Sequence, residues 1–100
     1  MHPEYLAFVC NWDGKKRKWN WTELKTDIDS FGKACMSVGA SEWSSVNIIG
    51  INSPEWGIAY LGAICANLIA TGVYSTNSPE VCLYIAKNSE AEIVVVENRK

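Results

Sequence analysis

The hundred residues contain a single histidine, His2, and no Cys-X-X-Cys pair. Structural zinc needs closely spaced pairs of Cys or His ligands, so a zinc site is excluded. A Ser-His-Asp triad is excluded too, because His2 sits at a chain end that is prone to fray. The seven glycines are scattered, and neither Gly-X-Gly-X-X-Gly nor Gly-X-X-X-X-Gly-Lys-Ser/Thr occurs. A backbone cradle for phosphate is therefore missing. An excess of one charge is lacking as well: the net charge is −2, which gives no general attraction to nucleic acid or anionic membranes. Met1-His2-Pro3-Glu4 is followed by no long apolar run, so no signal peptide is expected.

What remains is an ordinary folding composition, 48% apolar and 20% charged. Five tryptophans imply a core or an interface of some size. Cys10, Cys35, Cys65 and Cys82 show no metal or disulfide pattern, and the last three fall among apolar residues. They read as four reduced structural thiols. The stretch Trp56–Val73 is the most apolar. Glycines and Asn67 interrupt it, which favours a buried helix and strand over a membrane span. The chain is expected in the cytosol or facing it.

Leu6–Cys10 and Arg17–Trp21 flank Asn11-Trp12-Asp13-Gly14, a β-hairpin signal. Thr22 is placed to cap a helix whose apolar stripe is Leu24, Ile28, Phe31, Cys35 and Val38, with Gly39 ending it. Val46–Ile51 suits a strand buried on both faces. Ser53, Pro54 and Glu55 start a second helix, expected to run to about Ala70 and to be buried on more than one face. Val73-Tyr74 opens another strand. A third helix follows from Ser78-Pro79-Glu80, with Val81, Tyr84 and Ile85 on its inner side, and Glu92–Val96 is a further buried strand. The fold class is α/β: an N-terminal β-hairpin, then βαβαβ units of a parallel sheet with helices packed on it.

Three features invite a functional reading. Asn-Ser-Pro-Glu occurs twice, at Asn52–Glu55 and Asn77–Glu80, at strand-to-helix turns where α/β proteins bind ligands. Helix initiation alone explains those residues, and Glu55 and Glu80 would repel a phosphate. Lys15-Lys16-Arg17-Lys18 among Trp12, Trp19 and Trp21 resembles a nucleic-acid patch, but one short basic segment reads as a solvated hairpin tip. Asp27 and Asp29 are two apart, do not share a helix face, and read as solvated charges. No catalytic, cofactor-binding or metal-ligating residue is assigned.

Trp21-Thr22-Glu23-Leu24, Gly50-Ile51-Asn52-Ser53-Pro54-Glu55-Trp56 and Gly62-Ala63-Ile64 carry a resemblance. So do Gly72-Val73-Tyr74-Ser75-Thr76-Asn77-Ser78-Pro79-Glu80 and Ile93-Val94-Val95-Val96-Glu97-Asn98. Over about four-fifths of its length the chain resembles the N-terminal region of adenylate-forming (AMP-binding) enzymes, most nearly the bubblegum-type long- and very-long-chain fatty acyl-CoA synthetases. The resemblance implies a parent enzyme that joins a fatty acid to AMP using ATP and Mg²⁺, then passes the acyl group to coenzyme A. It implies a cytoplasmic protein, or one peripheral on the cytosolic face of the endoplasmic reticulum. The family's phosphate loop, threonine-glutamate segment, ribose-binding aspartate and C-terminal lysine have no counterpart here. The matched positions are scaffold, and Asn67-Leu68 stand where the family tends to carry small glycines.

The resemblance implies a hairpin region at 1–21 and an incomplete α/β subdomain at 22–100, a fragment inactive alone that associates with remaining synthetase domains. The rival readings are a free-standing α/β small-ligand-binding module and a non-catalytic interaction module.

Overall fold

The structure, a computed structural model, describes residues 2, 4–12, 14–51 and 53–96. Asp13 of the hairpin turn, Asn52 of the first Asn-Ser-Pro-Glu and the Glu97-Asn98 pair lie outside the described residues, as does the ring of Trp12. Strands β1 (Leu6–Trp12) and β2 (Lys15–Asn20) pair antiparallel, with Cys10 opposite Arg17. Gly14 takes a φ of 73°, the left-handed backbone a tight hairpin turn uses.

Helix α1 spans Trp21–Ser37. Trp21, expected in the strand, is its first residue, and the cap is Asn20 rather than Thr22. The Glu23 N–H donates to Asn20 Oδ1 at 2.8 Å, and the Asn20 N–H donates to Glu23 Oε1 at 3.0 Å. This reciprocal box needs an acid or amide three residues after the cap. Asn20 has Glu23 there, whereas Thr22 has Lys25. Leu24 and Cys35 are buried, with Ile28 and Phe31 half-buried between them. Val38 leaves the stripe: it is the C-cap and is exposed, where the helix ends and Gly39 enters the left-handed region at φ 84°.

The remaining elements are β3 (Ser45–Ile49), α2 (Pro54–Cys65), β4 (Ile69–Val73), α3 (Pro79–Asn88) and β5 (Ala91–Val96). The three strands form a parallel sheet in the order β4-β3-β5. Val46 and Ile48 of β3 pack with Ala59 and Ala63 of α2, Cys35 of α1 and Leu68. Helix α2 thus lies on the sheet, and α1 crosses α2.

Helix α2 is shorter than expected, and β4 starts earlier. Asn67 adopts φ 63° and stops the helix, its N–H donating to the Ile64 carbonyl at 3.0 Å while the Leu68 N–H donates to the Ala63 carbonyl at 2.9 Å. Asparagine visits this region more readily than other side chains, so it does what glycine does after a helix. The Trp43 N–H donates to the Asn67 carbonyl at 2.8 Å and holds the turn against the loop before β3. Asn67→Val is expected to cost about 1–2 kcal/mol and Asn67→Gly much less, which urea denaturation of the two variants checks.

Burial on several faces of α2 is only partial: Ala59, Gly62 and Ala63 are buried, but Tyr60, Leu61, Ile64 and Cys65 are exposed. All four cysteines are free, Cys35 buried, Cys10 and Cys82 half-buried. Cys65 departs from the buried-thiol expectation because it lies on the outer side of the last turn of α2.

Helix α3 turns a different side to the sheet than expected. Cys82, Ile85, Ala86 and Ser89 are half-buried, whereas Val81 and Tyr84 are exposed. Ser89 Oγ sits 3.0 Å from Oδ1 of Asn47, which is only 1% exposed in the middle of β3. That contact fixes the helix rotation, and 82, 85, 86 and 89 then share one face. Strand β5 is an edge strand rather than a fully buried one. Ala91, Ile93 and Val95 are half-buried, while Glu92, Val94 and Val96 are exposed. Among the described residues no helix is long and apolar enough to cross a membrane.

Candidate cleft at the carboxyl ends of the strands

From β3 the chain moves to β4 on one side, then crosses through α3 to β5 on the other. In open α/β sheets ligands sit beyond the carboxyl ends of the strands. A cleft of about 330 Å³ opens there. Ile48 and Ile49 of β3 and Val95 and Val96 of β5 form its floor. Ser53, Glu55 and Trp56 at the start of α2 form one wall, and Cys10 and Arg17 of the hairpin form the other.

Three contacts bring the hairpin to this place. Arg17 forms an ion pair with Glu55, and its guanidinium carbon lies 4.7 Å from the centre of the Trp19 ring. The Trp19 indole N–H donates to Asp27 Oδ2 of α1 at 2.8 Å. The Phe8 ring rests on Gly57 of α2, where an added Cβ would fall 3.1 Å from the ring. The basic hairpin cluster is therefore divided: Arg17 is engaged, while Lys15, Lys16 and Lys18 are exposed. Asp27, expected as a solvated charge, is half-buried and bonded to Trp19, and Asp29 pairs with Lys25 at 2.8 Å.

Both repeated turns cap their helices. The Trp56 N–H donates to Ser53 Oγ at 3.2 Å, and the Val81 N–H donates to Ser78 Oγ at 3.3 Å. Only the first turn also lines the cleft. Trp56 stacks on Tyr60 with ring centres 5.4 Å apart, which steadies the indole at the wall.

Partial burial acts to raise the Glu55 carboxyl. Its own backbone N–H at the helix start and the Arg17 guanidinium outweigh that, and the group lies below its ordinary value of 4.5. A depressed carboxylate adds stability that is present above the unfolded value and lost as pH falls through the folded one. Arg17→Gln is therefore expected to flatten the loss of stability below about pH 4.5, read by urea midpoints across an acid series.

The cleft is apolar inside, with paired charges at its wall. Its chemistry does not suit a nucleotide, because Glu55 stands at the α2 N-terminus where a phosphate would go. Among the described residues there is no group of three His, Cys, Asp or Glu side chains placed to hold a metal ion. The sequence points to the Ser53-Pro54-Glu55 turn but not to Cys10 and Arg17, which only the tertiary docking of the hairpin brings to it, nor to Trp56 of α2, which reads as one more core-facing apolar residue.

The family model for AMP-binding enzymes matches residues 1–100. The chain is 46% identical over 97 residues to the long-chain-fatty-acid–CoA ligase ACSBG2 of Gallus gallus, covering 97% of this chain. It is 38% identical over 99 residues to ACSBG2 of Xenopus laevis, covering 99% of this chain. It spans 13% of the length of each of these relatives. The backbone superposes on the acyl-CoA synthetase of Brucella canis with a TM-score of 0.87 at 18% identity, covering 95% of this chain and 18% of that one. With the fatty acid AMP ligase of Legionella pneumophila the TM-score is 0.83 at 18% identity, covering 94% and 17% of the two chains. These structural matches share the parallel sheet and its helices, while the sequence matches carry the kinship: the chain belongs to the AMP-binding enzyme family.

Proposed function

We propose that these residues build part of the sheet scaffold of a long-chain fatty acid–CoA ligase acting in the cytosol. The observation that carries this is 46% identity to a named long-chain-fatty-acid–CoA ligase across 97% of the chain. In the whole enzyme ATP and Mg²⁺ would activate the fatty acid as an acyl-adenylate, and coenzyme A would take the acyl group as a thioester. None of the hundred residues is assigned to that chemistry. Their contribution is a rigid sheet with a hairpin region at 1–21 and an α/β subdomain at 22–100. The exposed Leu83, Tyr84, Val94 and Val96 on the α3 side support association with the ligase's remaining domains.

A chimera tests this reading. These residues replace the matching stretch of the Gallus gallus ligase, and ATP–pyrophosphate exchange is measured with a long-chain fatty acid. Exchange within about tenfold of the unmodified ligase is expected, a loss of no more than about 1.4 kcal/mol of transition-state stabilisation. The hundred residues alone should show none. A folded but inactive chimera would sink the proposal, and activity in the short chain would reveal a site within it.

A further inference from the structure

We propose that Ser78 is a phosphorylation site for a proline-directed serine/threonine kinase. Asn-Ser-Pro-Glu occurs twice in the chain, and only its first copy lines the cleft. A kinase of this class requires proline directly after the acceptor, so Ser53-Pro54 and Ser78-Pro79 are equal candidates by sequence. The fold separates them.

Ser78, Pro79 and Glu80 are exposed, as are Ser75 and Thr76, and Tyr74 of the preceding loop is 81% exposed. A kinase groove can therefore hold the acceptor and the residues leading to it. Ser78 is already extended, at φ −67° and ψ 160°, as the residue before a proline tends to be. The residues after it are helical, so the first turn of α3 has to open before they extend. That opening costs little, because none of the ten residues of α3 is fully buried. The other copy is closed. Ser53 is half-buried, Pro54 is buried, and Trp56 in the same turn of α2 is stacked on Tyr60.

The residue three after the acceptor narrows the class. It is Val81 rather than a base, which fits kinases of the mitogen-activated type better than cyclin-dependent ones. In the transfer, Ser78 Oγ attacks the γ-phosphorus of ATP and the bond from that phosphorus to the β,γ-bridging oxygen breaks. ADP leaves, and the serine proton goes to the kinase's catalytic aspartate. The product carries about −1.5 to −2 charge at the start of α3. The Val81 N–H, now 3.3 Å from the hydroxyl, and the helix dipole favour negative charge there. Glu80 disfavours a free phosphate at this place but does not prevent one attached covalently.

The test incubates the hundred-residue chain, its fold checked by circular dichroism, with ATP and a kinase of the mitogen-activated type. Phosphate per chain is read by intact mass. One phosphate is expected, retained in Ser53→Asn and lost in Ser78→Asn. Asparagine caps a helix about as well as serine, so each variant removes a hydroxyl and keeps the cap. The folded chain should prefer Ser78 over Ser53 by at least about tenfold, and peptides of residues 47–59 and 72–84 should take phosphate at comparable rates. No incorporation, incorporation that survives in Ser78→Asn, or loss in Ser53→Asn would overturn the proposal. A preference as large between the peptides would overturn the role given to the fold.

Discussion

Gly62→Ala is expected to lower the stability of the chain by about 1–3 kcal/mol, the cost of overpacking a close contact. In an exposed helix the same change would add about 1 kcal/mol. The sign reverses because Gly62 lies where α1 crosses α2. A Cβ there would meet the Ile28 carbonyl oxygen at 2.9 Å and the Phe31 ring at 2.8 Å. The ring can shift, but the carbonyl belongs to helix backbone and can move only with α1. The opposing Gly32 is nearly as close, its added Cβ 3.1 Å from the Gly62 carbonyl oxygen. Two glycines thus let the helices approach backbone to backbone, and no side-chain rotation relieves a substitution. Thermal unfolding followed by circular dichroism should show a midpoint lowered by roughly 4–8 °C per kcal/mol. Gly57→Ala is the control: its added Cβ meets the far edge of the Phe8 ring, which can tilt away. A Gly62→Ala variant melting above the parent would show that helix propensity wins and that the crossing is looser than drawn.

Ile48→Ala should cost about 2–5 kcal/mol, while Val94→Ala should change stability by about 0.5 kcal/mol or less. Both residues lie in adjacent, hydrogen-bonded strands of one sheet. Ile48 is 2% exposed within the cluster under α2, and Val94 is 50% exposed on the opposite face. A domain of this size has about 5–15 kcal/mol in total, so the first change removes a large share and the second almost nothing. Urea midpoints of the two variants measure the asymmetry between the faces. Equal effects would mean that the α3 side is as well packed as the α2 side.

The sequence shows helix starts more clearly than helix ends, and the reason is local. Ser53 and Ser78 each cap within three residues, followed at once by proline and an acid, so nothing distant is needed to read them. The end of α2 has no such mark. The apolar run continues from Ile64 through Leu68 and Ile69 into β4, and a single asparagine in a left-handed conformation separates helix from strand. The inner side of α3 was misread because Val81 and Tyr84 are more apolar than Ser89, yet Ser89 has the partner, Asn47, that decides the rotation. The parallel sheet itself was legible from β3-α2-β4-α3-β5 alternation. The cleft was only half legible: its α2 wall follows from the turn after β3, but Cys10 and Arg17 arrive from a hairpin more than thirty residues away in sequence. The link from Trp19 to Asp27 that steadies that hairpin uses a carboxylate whose type alone suggests solvent exposure.

The order of strands also sets a timetable for a chain emerging from the ribosome. β3 is the first strand of the sheet to be made and lies at its centre. One of its edges is paired once β4 is complete at Val73, but the other stays open until β5 is complete at Val96. At synthesis rates of about 5–20 residues per second, that interval lasts roughly one to five seconds. Throughout it the strand destined to be the most buried of the sheet presents an unpaired backbone edge to whatever else is nearby. Slowing translation between those two residues should therefore increase the dependence of this nascent chain on chaperones, although every contact in the finished fold would be unchanged.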